Sequence, residues 1–199
     1  MAIDGDSTQT SRARLLTAGK QLFGRLGYEQ TSTATIARES GSSESQLIRY
    51  FGGKAGLLEA IFNESWSGLT EAIGQSVAAA AHGREAILNV LALFVSTFSR
   101  DHDVAFLFMF EGRRIRGNEV VLSKGFLQFF DLICSLVQRA QKDGSFRSTL
   151  NEKVIASALL GAAEGMMRDR MIAERTGQEN PFDDAVIGKA FETVVNGFA

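Results

Sequence analysis

Apolar positions along this chain recur at the three-and-four spacing of a helix face, and no segment alternates convincingly as a strand would. Leu15, Ala18, Leu22, Phe23 and Leu26 predict a helix over residues 11–26 with those side chains inward. Leu57, Leu58, Ile61 and Phe62, continued by Trp66, Leu69, Ile73 and Val77, predict a long helix over about 54–81. Ile87, Leu88, Leu91, Phe94, Val95 and Phe98 form a wide apolar face over 84–100. Further helices are expected over about 118–143, 151–175 and 183–198, the last marked by Ile187, Phe191, Val194, Val195 and Phe198. Pro181 is the one proline, so little in the chain interrupts helices. The expected fold class is all-α.

Residues 31–51 break this rhythm in an informative way. They read as two short helices around a glycine turn. Thr31, Ser32 and Thr33 can each cap a helix start by accepting an orphan backbone N–H. Ile36 and Ala37 form the buried side of the first short helix. Gly41 can take the left-handed conformation that turns the chain. Ser42 and Ser43 offer a second cap, with Glu44 near the positive helix start. In the second helix, Leu47 and Phe51 share the inner face. The opposite face then carries Ser45, Gln46 and Arg49, with Ile48 and Tyr50 on the flanks. Gln pairs with adenine, Arg with guanine, and Ser with a base or a phosphate. An ordinary surface hairpin of helices is the competing reading of this spacing.

Specific residues carry a resemblance that spacing cannot. Leu15-Leu16, Ala18-Gly19, Leu22-Phe23, Gly27-Tyr28, Thr31-Ser32, Ile36-Ala37, Gly41, Leu47, Arg49-Tyr50-Phe51, Lys54 and Leu57-Leu58 together resemble the N-terminal domain of the TetR family of transcriptional regulators, over about residues 11–62. The resemblance implies a three-helix helix-turn-helix domain at 1–55 and a helical effector-binding and dimerisation domain at 56–199. It also implies repression relieved by a small molecule. Carried over by position, the DNA-binding residues are Thr31, Ser32, Thr33, Ser43, Glu44, Ser45, Gln46, Arg49, Tyr50 and Lys54. Two positions depart from the family pattern. Ser42 stands where a small apolar residue packs between the helices, and Ile48 where a tyrosine reaches phosphate. The first is expected to soften the turn and the second to remove a phosphate contact.

Net charge is −2, which alone does not suggest DNA. Residues 1–55, however, hold seven Lys or Arg against five Asp or Glu, so the remainder carries four net negative charges. That is the sign expected of a basic head on an acidic body. Cys134 is the single cysteine, so an intrachain disulfide is impossible and a reducing, cytoplasmic compartment is expected. The polar N-terminus does not read as a signal peptide, and no apolar run is long enough to span a membrane.

Fifteen Phe against two Tyr give the body many rings without a polar handle. One reading is ordinary core. The sharper reading is an apolar pocket lined by Phe94, Phe98, Phe106, Phe110, Phe126, Phe130, Met166 and Met167, with Arg113, Glu111 and Glu164 as polar anchors. This predicts an apolar or aromatic effector. Ala158, Gly161, Ala162 and Gly165 recur at helical spacing as a smooth strip that admits a close neighbour. In the family such helices build a dimer interface, so a homodimer through the last two helices is expected, on a palindromic operator; intrachain packing is the alternative.

Asp101-His102-Asp103 has the composition of a metal site but lacks a second histidine nearby, so no metal or cofactor is implied. The chain offers no nucleophile with a partnered base and no phosphate-cradling loop, which argues against an enzyme. The rival to a regulator is a helical ligand- or protein-binding module without DNA binding.

Overall fold

Side-chain acceptors open several of the helices. Ser32 Oγ accepts from Thr35 N at 3.1 Å and Ser43 Oγ from Gln46 N at 3.2 Å. Asp101, Asn151 and Asp183 do the same for Val104, Lys153 and Val186. Each such cap contributes about 1 kcal/mol. In a computed structural model describing residues 4–111, 113–116, 119–122 and 124–199, side chains at 4–10, 113–116 and 119–122 excepted, these caps start an almost wholly helical chain.

Helix α1 (Asp4–Leu26) leads to the short pair α2 (Thr33–Glu39) and α3 (Glu44–Phe51). The long α4 (Lys54–Ala79) follows, then α5 (Gly83–Arg100) and the brief α6 (His102–Phe106) with a π-turn at Leu107–Glu111. Strands β1 (Arg113–Arg116) and β2 (Glu119–Leu122) form an antiparallel hairpin in which Arg113 pairs with Leu122 and Arg116 with Glu119. Helices α7 (Lys124–Lys142), α8 (Glu152–Thr176) and α9 (Asp184–Asn196) complete the chain.

The hairpin corrects the sequence reading, which began a helix at residue 118. Val120-Val121 is β-branched, and the dipeptide Gly117-Asn118 between Arg116 and Glu119 is a two-residue hairpin signal. Gly117 and Asn118 themselves lie outside the described residues. Helix α1 also begins earlier than expected, and Leu26, assigned to its inner face, is half exposed.

One hydrophobic cluster extends from Leu15 to Val195. Helix α4 carries it through the molecule. Its Leu57 side chain sits so close to Gly19 of α1 that a Cβ there would lie 2.7 Å from a leucine methyl. Farther along α4, Trp66 meets Phe108 and Phe129 at ring-centre distances of 4.9 and 5.1 Å. Polar links join α1 and the loop after it to the later helices. Lys20 pairs with Asp101 at 2.7 Å, Arg175 donates to the Gly24 carbonyl at 2.7 Å, and Tyr28 N donates to Glu111 at 3.3 Å.

Candidate nucleic-acid interface

Two glycines set the geometry of α2 and α3. Gly41 turns the chain between them at φ 61°, and Gly52 closes α3 at φ 73°, conformations that cost other residues steric strain. The start of α3 is closed by a reciprocal box. Ser43 Oγ accepts from Gln46 N, while Gln46 Oε1 accepts from Ser43 N at 3.0 Å. Leu47 is fully buried beneath the helix. Helix α3 is therefore held at both ends and along its floor, with its opposite side in solvent.

The outward residues are Ser43, Glu44, Ser45, Ile48 and Arg49, all exposed. Thr33 Oγ1 donates to Glu44 Oε2 at 2.6 Å, which brings the starts of α2 and α3 side by side. Ser32 and Thr33 thus sit at the same edge as Ser43 and Glu44. Helix starts with free N–H groups and small hydroxyls are suited to phosphate oxygens.

Several assigned side chains are already engaged. Thr31 is a correction: it is 1% exposed, and its hydroxyl donates to the Gly27 carbonyl at 2.8 Å, so it braces the loop before α2 and does not face solvent. Gln46 is half-buried with its carbonyl oxygen committed to the cap, leaving its NH₂ for a base. Arg49 lies over the Tyr50 ring, 4.9 Å from its centre, and donates to Tyr50 Oη at 2.9 Å. Lys54 donates to the Tyr28 carbonyl at 2.9 Å and is half-buried. Ile48, assigned to a flank, is 58% exposed there.

This arrangement of a capped, outward-facing second helix behind a glycine turn sits in a segment with a known counterpart. A family model described as "Bacterial regulatory proteins, tetR family" matches residues 15–61. The nucleoid occlusion factor SlmA of Pasteurella multocida (strain Pm70) is 30% identical over 165 residues, covering 80% of this chain and 81% of that one. The chain belongs to the TetR family. It is a DNA-binding transcriptional regulator and not an enzyme. The fatty acid metabolism regulator protein of Bacillus subtilis (strain 168) is 21% identical over 157 residues, 76% of this chain and 78% of that one. Among solved structures, the regulator FadR from Bacillus subtilis in complex with stearoyl-CoA superposes with a TM-score of 0.81 at 16% identity, covering 94% and 99% of the two chains. At that identity the TetR-like superposition speaks for the fold alone.

Beyond the TetR head, the residues chosen from sequence as a ligand pocket fall, among the described residues, into several ring groups. Phe94, Phe98 and Met167 are buried, Phe98 lying 5.0 Å from Phe108 and Phe94 stacking on Phe129 at 5.6 Å. Phe106 and Phe110 form a separate pair at 4.8 Å, with Arg175 over Phe106 at 4.3 Å. Phe126 and Phe130 lie half-buried along α7, and Met166 is half-buried on α8. The side chain of Arg113 lies outside the described residues. Inside the ring cluster, Trp66 Nε1 is buried without a hydrogen-bond partner among the described residues. A cleft of about 560 Å³ opens elsewhere, between α5 and α9, against Leu88, Val95, Gly188 and Phe191. The sequence places Leu88, Val95 and Phe191 on apolar helix faces and marks none of the four as pocket lining.

No helix of the described residues is long and apolar enough to cross a membrane.

Proposed function

We propose that this regulator is a repressor which binds a palindromic operator as a homodimer and is released by a small-molecule effector with a large apolar part. The observation that carries the reading is the outward polar face of α3, fixed by the Ser43–Gln46 box and the Gly52 cap. A helix so held can enter a major groove with Ser45, Gln46 and Arg49 toward base edges. Ser32, Thr33, Ser43, Tyr50 and Lys54 then serve the backbone. Residues 1–55 act as the reading head and 56–199 as the sensing and pairing body. Such a protein works in the cytoplasm, where its DNA is.

Dimerisation through α8 and α9 is supported by what those helices leave uncovered. Ala158 and Gly161 are exposed, and a Cβ built on Gly161 or Gly165 meets nothing within 4 Å. Among the described residues Ala162 packs against the core, while Ala158 and Gly161 stay uncovered and free to meet a second copy. Val154 at 60%, Ile172 at 45% and Val186 at 50% exposure add apolar surface on the same two helices. A two-fold pair presents two heads to a two-fold site and doubles the phosphate contacts.

For the effector, the similarity to a regulator solved with stearoyl-CoA favours a long acyl chain on a polar carrier. The ring cluster of Phe94, Phe98, Phe108 and Phe129 is the apolar volume such a chain would part. The unpartnered Trp66 N–H offers a donor to its carbonyl. Helix α4 links that cluster to the head, so opening it would change the spacing of the two α3 helices.

The test is sequence selection from random duplexes with the full chain, followed by binding titrations of the enriched site. A palindromic, salt-sensitive footprint released by an acyl-CoA is expected. Enrichment of nothing at low salt would overturn the operator reading. An operator complex indifferent to acyl-CoA would overturn this effector class alone.

A further inference from the structure

The structure contradicts the simplest picture of α3, in which hydrogen-bonding side chains do all the reading. Gln46 has spent its oxygen on the helix cap, and Arg49 is folded onto Tyr50. Ile48, three residues after Ser45 and so beside it on the helix, stands 58% exposed at the edge of the outward face. The helix beneath it is pinned at both ends, and a β-branched side chain in a helix has essentially one rotamer. Ile48 is thus a rigid apolar knob at a defined place on the reading surface.

A scattered exposed isoleucine would ordinarily need no explanation. This one borders, beside Ser45, the face proposed to enter the groove. Isoleucine has no donor for a phosphate, and burying it against charged oxygens gains nothing. The thymine C5-methyl is the apolar group that base edges present in the major groove. We infer that Ile48 is a specificity-determining residue that reads a thymine in each operator half-site by packing on its methyl group. This rests on α3 entering the major groove.

The consequence is that part of the operator's specificity is insensitive to hydrogen-bonding chemistry and sensitive to a single methyl. It also explains how a position without a phosphate contact can serve a DNA-binding helix. What the head loses in salt-dependent affinity at this site it gains in discrimination.

The experiment uses the full chain and the duplex it selects. Each thymine is replaced in turn by uracil, which keeps its base pairing and lacks the methyl, and Kd is measured at one fixed salt concentration. Wild-type affinity is expected to fall about fourfold at one symmetric position, the worth of about one buried methyl group. Ile48→Ala, at an exposed position, should fold normally by circular dichroism. It should bind the thymine site more weakly and show no further loss with uracil. The inference is overturned if every uracil duplex binds as the parent does, if Ile48→Ala retains the full uracil penalty, or if the selected half-site contains no thymine. Failure to select any duplex would instead defeat the operator reading itself, and this inference with it.

Discussion

Lys54 rests on Tyr28. Its ammonium lies 4.2 Å from the centre of the ring and donates to the Tyr28 backbone carbonyl at 2.9 Å. The first residue of α4 therefore clamps the loop that precedes α2, which also holds Thr31. A lysine so placed has two roles, since its remaining N–H groups are still able to reach a phosphate. Lys54→Ala is expected to lower the melting temperature by several degrees and to weaken binding to all duplexes alike. The slope of log K against log salt should flatten by about one. An unchanged slope with reduced affinity would make Lys54 a clamp only.

Gln46 separates capping from reading. Gln46→Glu keeps the acceptor for Ser43 N and replaces the amide donors that adenine needs. Its stability should stay within about 0.5 kcal/mol of wild type, while base preference shifts. Gln46→Ala loses the cap as well and should cost about 1 kcal/mol. Urea unfolding beside duplex selection distinguishes the two; equal destabilisation by both variants would refute the capping role.

Ser42 carries a hydroxyl whose oxygen is buried without a hydrogen-bond partner among the described residues. A buried unsatisfied polar group costs about 1–3 kcal/mol. Ser42→Val is thus expected to stabilise the protein, by about 1 kcal/mol once the added methyls are accommodated. A lower melting temperature in this variant would mean that the turn has no room for them.

Gly125 allows α7 to touch Trp66. A Cβ at that position would fall 1.8 Å from Trp66 Cδ1 and 1.9 Å from Nε1. The indole is 7% exposed and packed among Phe108 and Phe129, so it cannot swing clear. Gly125→Ala should destabilise by about 1–3 kcal/mol and shift the fluorescence of Trp66, the protein's single tryptophan. The same signal should respond to an effector that enters the ring cluster.

Asp101 couples α1 to α6 through Lys20. Burial raises its pKa, but hydrogen bonds from Lys20 and Val104 N, with the lysine's charge, outweigh this and hold the carboxyl below its ordinary value. Its stabilisation is therefore complete above the ordinary carboxylate pKa of about 4 and is lost as pH falls through the lowered folded value. Neighbouring Asp103 is raised, by burial and then by the charge of Asp101, and works in the opposite sense. Comparison with Asp101→Asn isolates the first effect. The variant should be less stable than wild type at neutral pH, and the gap should close on acidification below about pH 4. A gap independent of pH would show that the ion pair is not its source.

The head was legible from the chain because its signals are local. Ser32 and Ser43 cap helices, Gly41 turns the chain between them, and Leu47 marks the floor, all within a few residues of what they control. The α4, α5, α8 and α9 spans followed from apolar period in the same way. Which rings meet was not legible, because periodicity tells which Phe points inward and not which inward rings pair. Phe94 and Phe98 close on Phe108 and Phe129, while Phe106 goes elsewhere, under Arg175. Nor did the sequence reveal that Thr31 points in, since single positions near a helix edge follow how the helices dock.

The amino-acid order alone therefore determined the helices, their caps, the family and the reading helix, because backbone satisfaction and amphipathic period act over one or two turns. Tertiary structure decided which side chains are spent on the fold and which are left for a partner. That choice depends on contacts between residues far apart in the chain, such as Tyr28 with Lys54 and Trp66 with Gly125, and short-range pattern does not encode those distances.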